Sequence, residues 1–311
     1  MNNHNILVDK INTIKKAKNA VILAHYYQIP EIQEIADFVG DSLDLSRKSA
    51  ETNADIIVFA GVNFIAETAK ILSPQKRVFI PDRNAGCSLA ESCPTEDFKK
   101  FKDQHPDHMV VAYVNTTAEI KAMTDITCTS TNAVQIIESI PKQQKIIFAP
   151  DRNLGNYLNS ITGRNMLLWN GACHVHEEFS LEKMLAIKKT YPKAKLIAHP
   201  ECQMPVVIAA DFVGSTSALL RFTETDPGNE YIVATESGIL HQMRKQSPNK
   251  TFIPAPPIDS TCGCGDCQFM KLHDLQKIFD SLNEEKFEIH LDMEMMEKAR
   301  KPILRMLELS N

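Results

Sequence analysis

One phrase occurs three times in this chain, and its internal spacing narrows the fold to a small set. Residues 23–42 read LAHYYQIPEIQEIADFVGDS, residues 196–216 read LIAHPECQMPVVIAADFVGST, and residues 111–130 carry a more diverged copy, VAYVNTTAEIKAMTDITCTS. The interval from His25 to Asp37, from Tyr113 to Asp125 and from His199 to Asp211 is 12 residues each time. Five positions beyond each aspartate stands a hydroxyl residue: Ser42, Ser130 and Thr216. Each copy reads as a short apolar strand, a loop with a polar tip, a helix, and a second short strand ending in small polar residues. Matched spacing in three places marks an internal repeat.

The repeat divides the chain into units at 1–94, 95–178 and 179–311. The first has a leading amphipathic helix at 5–19, then strands at 21–24, 36–39, 56–60 and 78–80, with helices at 42–52 and 64–72. The second has strands at 110–114, 126–129, 145–149 and 166–169. The third has strands at 196–198, 212–214, 231–234 and 251–253, followed by a helical tail at 272–282 and 293–309. Two further echoes support the count. Ser73-Pro74-Gln75-Lys76 and Ser247-Pro248-Asn249-Lys250 each precede a fourth strand, and the interval Asp125 to Asp151 (26) matches Asp211 to Glu236 (25). Strands alternating with helices predict parallel sheets, hence three similar layered α/β/α units. Ligands in such units bind at the carboxyl ends of the strands.

The 311 residues are 43% apolar, enough to bury cores, and carry a net charge of −5 without a basic face. That excludes a phosphate-tracking nucleic-acid binder. The polar first ten residues do not read as a signal peptide, and no run approaches the 18 apolar residues of a membrane span. A cytoplasmic location is expected. Eight cysteines in a reducing compartment point to metal binding or catalysis rather than a disulfide framework.

The fourth strand of each unit is followed by cysteine: Cys87, Cys173, and the group Cys262, Cys264 and Cys267. Three units around a common axis bring three thiolates together. Two metal centres remain open on the residues alone. One is a [4Fe–4S] cluster with three protein ligands and one open iron, which acts as a Lewis acid on a substrate oxygen. The other is zinc with His174 or His176 as fourth ligand. Cys93, Cys128 and Cys202 read as buried small hydrophobes. The strand-end tips form a second constellation: His25, Tyr27, Tyr113, Asn115, His199 and Glu201, with Ser42, Ser130 and Thr216. His, Tyr and Glu suit proton transfer, and hydroxyls at helix starts suit phosphate or carboxylate groups, or serve as helix caps. Asp82-Arg83-Asn84 and Asp151-Arg152-Asn153 are either turn chemistry or arginines placed for anions. No G-x-G-x-x-G and no Walker A sequence occurs.

These residues resemble the iron–sulfur quinolinate synthases of de novo NAD synthesis. The resemblance covers the chain, through AHYYQIPEIQEIADFVGDSLDLS, DIIVFAGVNFIAETAKIL, PDRNAGCSLA, FAPDRNLGNY, GACHVHEEFS and the late cysteines followed by FMKLHDL. It implies three α/β units in pseudo-threefold arrangement with the active site at their junction. It implies a [4Fe–4S] cluster on Cys87, Cys173 and Cys267, with one iron left without a protein ligand. Cys267 is chosen because Cys267-Gln268-Phe269-Met270 matches the family's third ligand. Cys264 matches a middle cysteine of some members, while Cys262 is displaced by one, which leaves any redox pairing open.

The implied reaction condenses iminoaspartate with dihydroxyacetone phosphate to quinolinate, releasing phosphate and water. The implied substrate contacts are His25, Ser42, Tyr113, Asn115, Ser130, His199, Glu201 and Thr216, with Glu201, Tyr27 and His199 in proton transfer. An aspartate oxidase or dehydrogenase is the implied source of iminoaspartate. No nucleic-acid or membrane partner is expected. Two other classes remain open on the residues themselves: a cluster-dependent hydro-lyase acting on a single hydroxy acid, and an iron–sulfur or zinc redox sensor.

Overall fold

Twelve short apolar runs become the strands of three sheets in a computed structural model that describes residues 3–259 and 265–310. Cys262 and Cys264 lie outside the described residues. The first sheet holds β1 (Ala20–His25), β2 (Phe38–Gly40), β3 (Ile56–Ala60) and β4 (Arg77–Phe79). The second holds β5 (His108–Tyr113), β6 (Ile126–Cys128), β7 (Lys145–Ala149) and β8 (Leu167–Leu168). The third holds β9 (Lys195–Ala198), β10 (Phe212–Val213), β11 (Glu230–Ala234) and β12 (Thr251–Pro254). The strand orders are β2-β1-β3-β4, β6-β5-β7-β8 and β10-β9-β11-β12. Every pairing within them is parallel. Register repeats as well as order, since Ala24 pairs Ala60, Ala112 pairs Ala149 and Ala198 pairs Ala234. The molecule is thus three similar layered α/β/α units.

The 12-residue interval has a simple cause. In each unit the cassette aspartate returns to the first strand and grips it twice. The N–H groups of Asp37, Asp125 and Asp211 donate to the carbonyls of Ile22, Val110 and Leu196 at 3.0, 3.1 and 2.7 Å. Their carboxylates accept the N–H groups of the same three residues at 2.8, 2.7 and 2.8 Å. A shorter or longer loop-helix segment would miss this two-point latch. The second echo is also explained. Lys76 and Lys250 close their turns onto Ser73 and Ser247. Lys76 then holds the Thr52 carbonyl at the end of helix Ser42–Glu51. Lys250 holds the Thr223 and Asp226 carbonyls at the end of helix Thr216–Thr225.

Element ends differ from expectation by a residue or two. Strand β2 begins at Phe38 rather than at 36, because the Ala36 N–H still closes helix Pro30–Ile35 on the Ile32 carbonyl. The edge strand β8 keeps only two residues of the expected four. Strands β3, β7 and β11 are buried almost throughout, which is why they read as unbroken apolar runs. The tail follows the third unit in sequence yet packs on the first two. Helix Leu275–Asn283 lies against the leading helix Asn3–Ala17, and helix Met293–Glu308 lies against β6 and helix Ala118–Ala122. No helix among the described residues is long and apolar enough to cross a membrane.

Candidate active site

The carboxyl ends of the three sheets meet at one cavity with an empty volume of about 630 Å³. The three implied cluster ligands and all the strand-end tips line it. Cys87, Cys173 and Cys267 do, one from each unit. So do the tips His25 and Tyr27, Tyr113 and Asn115, His199 and Glu201, and the hydroxyl residues Ser42, Ser130 and Thr216. Val62, Phe64, Ile65, Val175 and Met270 supply an apolar wall.

The three cysteines share a local frame. Each starts one helical turn, its carbonyl accepting an N–H four residues on: Glu91 to Cys87 at 2.9 Å, Glu177 to Cys173 at 3.0 Å, and Lys271 to Cys267 at 3.2 Å. The same turns aim N–H groups at sulfur, from Leu89 and Ala90 at Cys87, from His176 at Cys173, and from Phe269 and Met270 at Cys267. Burial pushes all three thiols up, Cys87 to about 12. A bound metal reverses that preference by taking the thiolate.

The spacing bears on which metal fits. Among the described residues, the one set of three metal-ligating side chains whose ligand atoms all lie within 4.8 Å of one another is Cys173, His176 and Glu201. Cys87 and Cys267 fall outside it. The set close enough for one ion therefore shares only Cys173 with the three cysteines that the units deliver to the cavity. His174, one of the two candidate zinc ligands, is turned away onto the Ser88 hydroxyl at 2.6 Å.

The tips are set up for proton transfer. His25 Nδ1 accepts the Tyr27 N–H at 3.1 Å, and His199 Nδ1 accepts the Glu201 N–H at 3.3 Å. Burial lowers both rings, His25 to about 4 and His199 to about 3. Both are therefore neutral at pH 7, and with Nδ1 occupied each carries its proton on Nε2. Burial pushes Glu201 up, but His176, His199 and the Tyr113 hydroxyl outweigh it and hold the carboxyl low, at about 2. The Tyr113 hydroxyl donates to Glu201 Oε1 at 2.6 Å. Tyr27 reaches from the first unit into the third, where its hydroxyl shares hydrogen bonds with Thr216 and Thr235 at 2.8 Å each. His176 stands next, with Nε2 at 3.0 Å from the Thr235 hydroxyl and Nδ1 at 3.1 Å from Glu201 Oε2, an approach outside hydrogen-bond geometry. Among the described residues the Asn115 side-chain oxygen finds no partner, although it is buried.

No lysine or arginine among the described residues lines the cavity. Anions must therefore be met by neutral donors and helix N-termini. Neighbours relieve Ser42 and Thr216 of capping, although the Thr216 hydroxyl is also held by Tyr27 at 2.8 Å. Asp41 accepts the Leu43 and Asp44 N–H groups at 3.0 and 3.1 Å, and Ser215 accepts the Ala218 N–H at 3.3 Å. Both Asp-Arg-Asn motifs turn out to be turn chemistry. Asp82 accepts the Asn84 N–H at 2.9 Å, and Arg83 is exposed over the Phe287 ring. Asp151 caps helix Arg152–Thr162, while Arg152 pairs with Glu177 at 2.6 Å.

Sequence reasoning missed two cavity carboxylates, Asp41 and Glu236, and read His176 only as a metal ligand. Asp41 is a node between units, its second oxygen accepting hydroxyls from Thr131 at 2.7 Å and Ser217 at 2.6 Å. The adjacent Asp41-Ser42 pair at a helix start was the available signal. His176 stands between Thr235 and Glu201 rather than serving only as a spare ligand. Glu236, 1% exposed, pairs with Lys271 at 2.8 Å.

Comparison with known proteins agrees with this geometry. The family model described as quinolinate synthetase A protein matches residues 9–308. The chain is 58% identical over 301 residues to the quinolinate synthase of Trichormus variabilis, covering 97% of this chain and 93% of that one. It is 56% identical over 304 residues to that of Thermosynechococcus vestitus, covering 98% and 95%. It is 53% identical over 304 residues to that of Chloroherpeton thalassium, covering 98% and 94%.

Proposed function

The chain belongs to the quinolinate synthase family and is an enzyme of that type, and on that premise we propose the following chemistry for its cavity. It joins iminoaspartate to dihydroxyacetone phosphate and releases quinolinate, phosphate and water. An aspartate-oxidising enzyme supplies the imine. The observation that carries the reading is the convergence of three cysteines, one per unit, with three sets of strand-end tips in one cavity.

Cys87, Cys173 and Cys267 would hold a [4Fe–4S] cluster, for which their convergence in one cavity, one from each unit, and the N–H groups aimed at sulfur are the support. When bound, the cluster supplies a Lewis acid at the iron that no protein side chain ligates. The remaining work falls to the chain itself. Ser42, Ser130 and Thr216 bind phosphate and carboxylate oxygens, backed by the N-termini of helices Ser42–Glu51 and Thr216–Thr225. His25 and His199 orient substrate oxygens by donating from Nε2, and Asn115 and Tyr113 fix the substrate laterally.

Glu201, held ionised, takes the proton that must leave during isomerisation and imine formation. Tyr27 returns a proton from its hydroxyl, and Thr235 and His176 stand between the two groups. The apolar wall excludes water from an imine that water would hydrolyse.

The test is iron and acid-labile sulfide per chain after anaerobic purification, beside Cys87→Ala, followed by a quinolinate assay. About four of each per chain, lost in the variant, is the expected result. Zinc in place of iron, or a full cluster without Cys87, would break the ligand assignment.

A further inference from the structure

The position two residues beyond the third strand of each unit is equivalent across the repeat, because Ala60, Ala149 and Ala234 hold the same register against their first strands. That position is Val62 in the first unit, Asp151 in the second and Glu236 in the third. Asp151 and Glu236 are 0% and 1% exposed. Each reaches the cysteine of its own unit. Asp151 Oδ2 accepts the Cys173 N–H at 2.8 Å, and Glu236 Oε1 accepts the Cys267 N–H at 3.1 Å. The other oxygen of each carboxylate is anchored to its strand-end turn. Asp151 Oδ1 accepts the Asn153 and Leu154 N–H groups at 2.6 and 3.0 Å, and Glu236 Oε2 accepts the Gly238 N–H at 2.7 Å. Each carboxylate is thus a clip between a sheet and the backbone of a cysteine.

We propose that Asp151 and Glu236 are positioning residues that fix the backbone at Cys173 and Cys267 and make the three cluster ligands electrostatically unequal. The inference rests on the reading that Cys87, Cys173 and Cys267 hold the cluster. Val62 has no acceptor to offer, so Cys87 is placed by its own turn and has no carboxylate at this position. Glu236 is neutralised by Lys271 at 2.8 Å. Asp151 is met by backbone N–H groups alone among the described residues. At this position one ligand therefore has no charged group, one has a carboxylate paired with a lysine, and one has a buried carboxylate without a paired cation, which burial and Glu201 raise to about 7. Outer-shell groups of this kind orient ligands and tune a metal centre.

The experiment uses the anaerobically purified holoprotein with Asp151→Asn, Glu236→Gln, and Glu236→Gln combined with Lys271→Met. The readouts are the cluster reduction potential, the rate of iron release to a chelator, and the unfolding temperature of the iron-free chain. At about pH 9, above the value of about 7 to which burial and Glu201 raise Asp151, removing a negative charge beside the cluster favours reduction, so both single variants shift the potential upward and release iron several-fold faster. Removing the Glu236–Lys271 pair together brings the potential back toward wild type, which a purely structural role would not produce. Loss of the cluster from a single variant whose iron-free chain unfolds at the wild-type temperature supports the inference equally. Should Asp151→Asn fail to fold, Glu236→Gln carries the test. Wild-type potential and iron retention in the folded single variants overturn it. Absence of iron from the wild-type chain overturns instead the ligand reading beneath it.

Discussion

Asp41→Ala is the perturbation whose cost can be worked out most fully from the structure. Asp41 is 4% exposed and its carboxylate accepts four hydrogen bonds. Two cap helix Ser42–Glu51, and losing an aspartate cap costs about 0.5–2 kcal/mol. The bond from Ser217 is buried and charge-assisted, worth about 1.5–3 kcal/mol, although Ser217 keeps a 3.2 Å contact to Asp44 that recovers part of it. Thr131 is exposed and turns to water at little cost. The sum is about 3 kcal/mol, and it falls on the joint between all three units.

Asp41→Asn separates the terms. The amide oxygen keeps the cap, its NH₂ donates to hydroxyls that can rotate to accept, and the loss should stay near 1 kcal/mol. Urea unfolding followed by circular dichroism reads both variants. Substrate titrations should show KM raised in Asp41→Ala with iron content unchanged, because the first turn carrying Ser42 frays. A cost below about 1 kcal/mol for Asp41→Ala, or equal costs for the two variants, would refute the node.

Three more outcomes are expected. Glu201→Gln should fold and keep its iron while losing about 10²- to 10⁴-fold in turnover, and full turnover would remove the carboxylate from proton transfer. Tyr27→Phe keeps the ring but strands the Thr216 hydroxyl, and should cost about 1–2 kcal/mol of stability together with a fall in kcat; an unchanged kcat would leave the phenol only a packing role. His199 sits near 3 when folded against 6.5 when unfolded. Between those values the unfolded chain binds the extra proton, so the contribution of neutral His199 is complete above pH 6.5 and drains as pH falls toward 3. The stability gap between wild type and His199→Asn should then shrink by about 1.4 kcal/mol per pH unit between pH 6 and 4. A gap that stays flat with pH would show that His199 is not kept neutral by burial.

What the sequence made legible was whatever depends on spacing along the chain. The 12-residue interval reports a real constraint, the return of Asp37, Asp125 and Asp211 to their first strands. Strand ends follow from it, and so does the set of tips around the cavity. What stayed hidden depends on direction. Nothing in Asp-Arg-Asn tells that Arg152 turns outward to Glu177 while Asp151 turns inward to Cys173. Asp41 was overlooked because its neighbour Ser42 took the attention a hydroxyl at a helix start invites. Glu236 served only to measure an interval and Asp151 only that and a turn motif, since their use requires knowing that a cysteine some twenty to thirty residues downstream folds back beside them. Edge strands β8 and β10 carried too few residues for periodicity to set their ends.

The repeat also explains why the cavity can be asymmetric without being irregular. His25, Tyr113 and His199 occupy one equivalent position, and Tyr27, Asn115 and Glu201 occupy the next, two residues on. The first pair of histidines keeps the same Nδ1 contact to its own loop in units one and three. Backbone symmetry thus delivers three side chains to one space, while their chemistry differs: a phenol, an amide and a carboxylate. The third-strand positions behave the same way, with Val62, Asp151 and Glu236 behind the three cysteines. Three identical tips would favour a threefold ligand. The proposed joining of two unlike substrates into one ring would need one base, one acid and distinct anchors around a shared centre. Substituting single residues on a fixed frame achieves that without moving the strands.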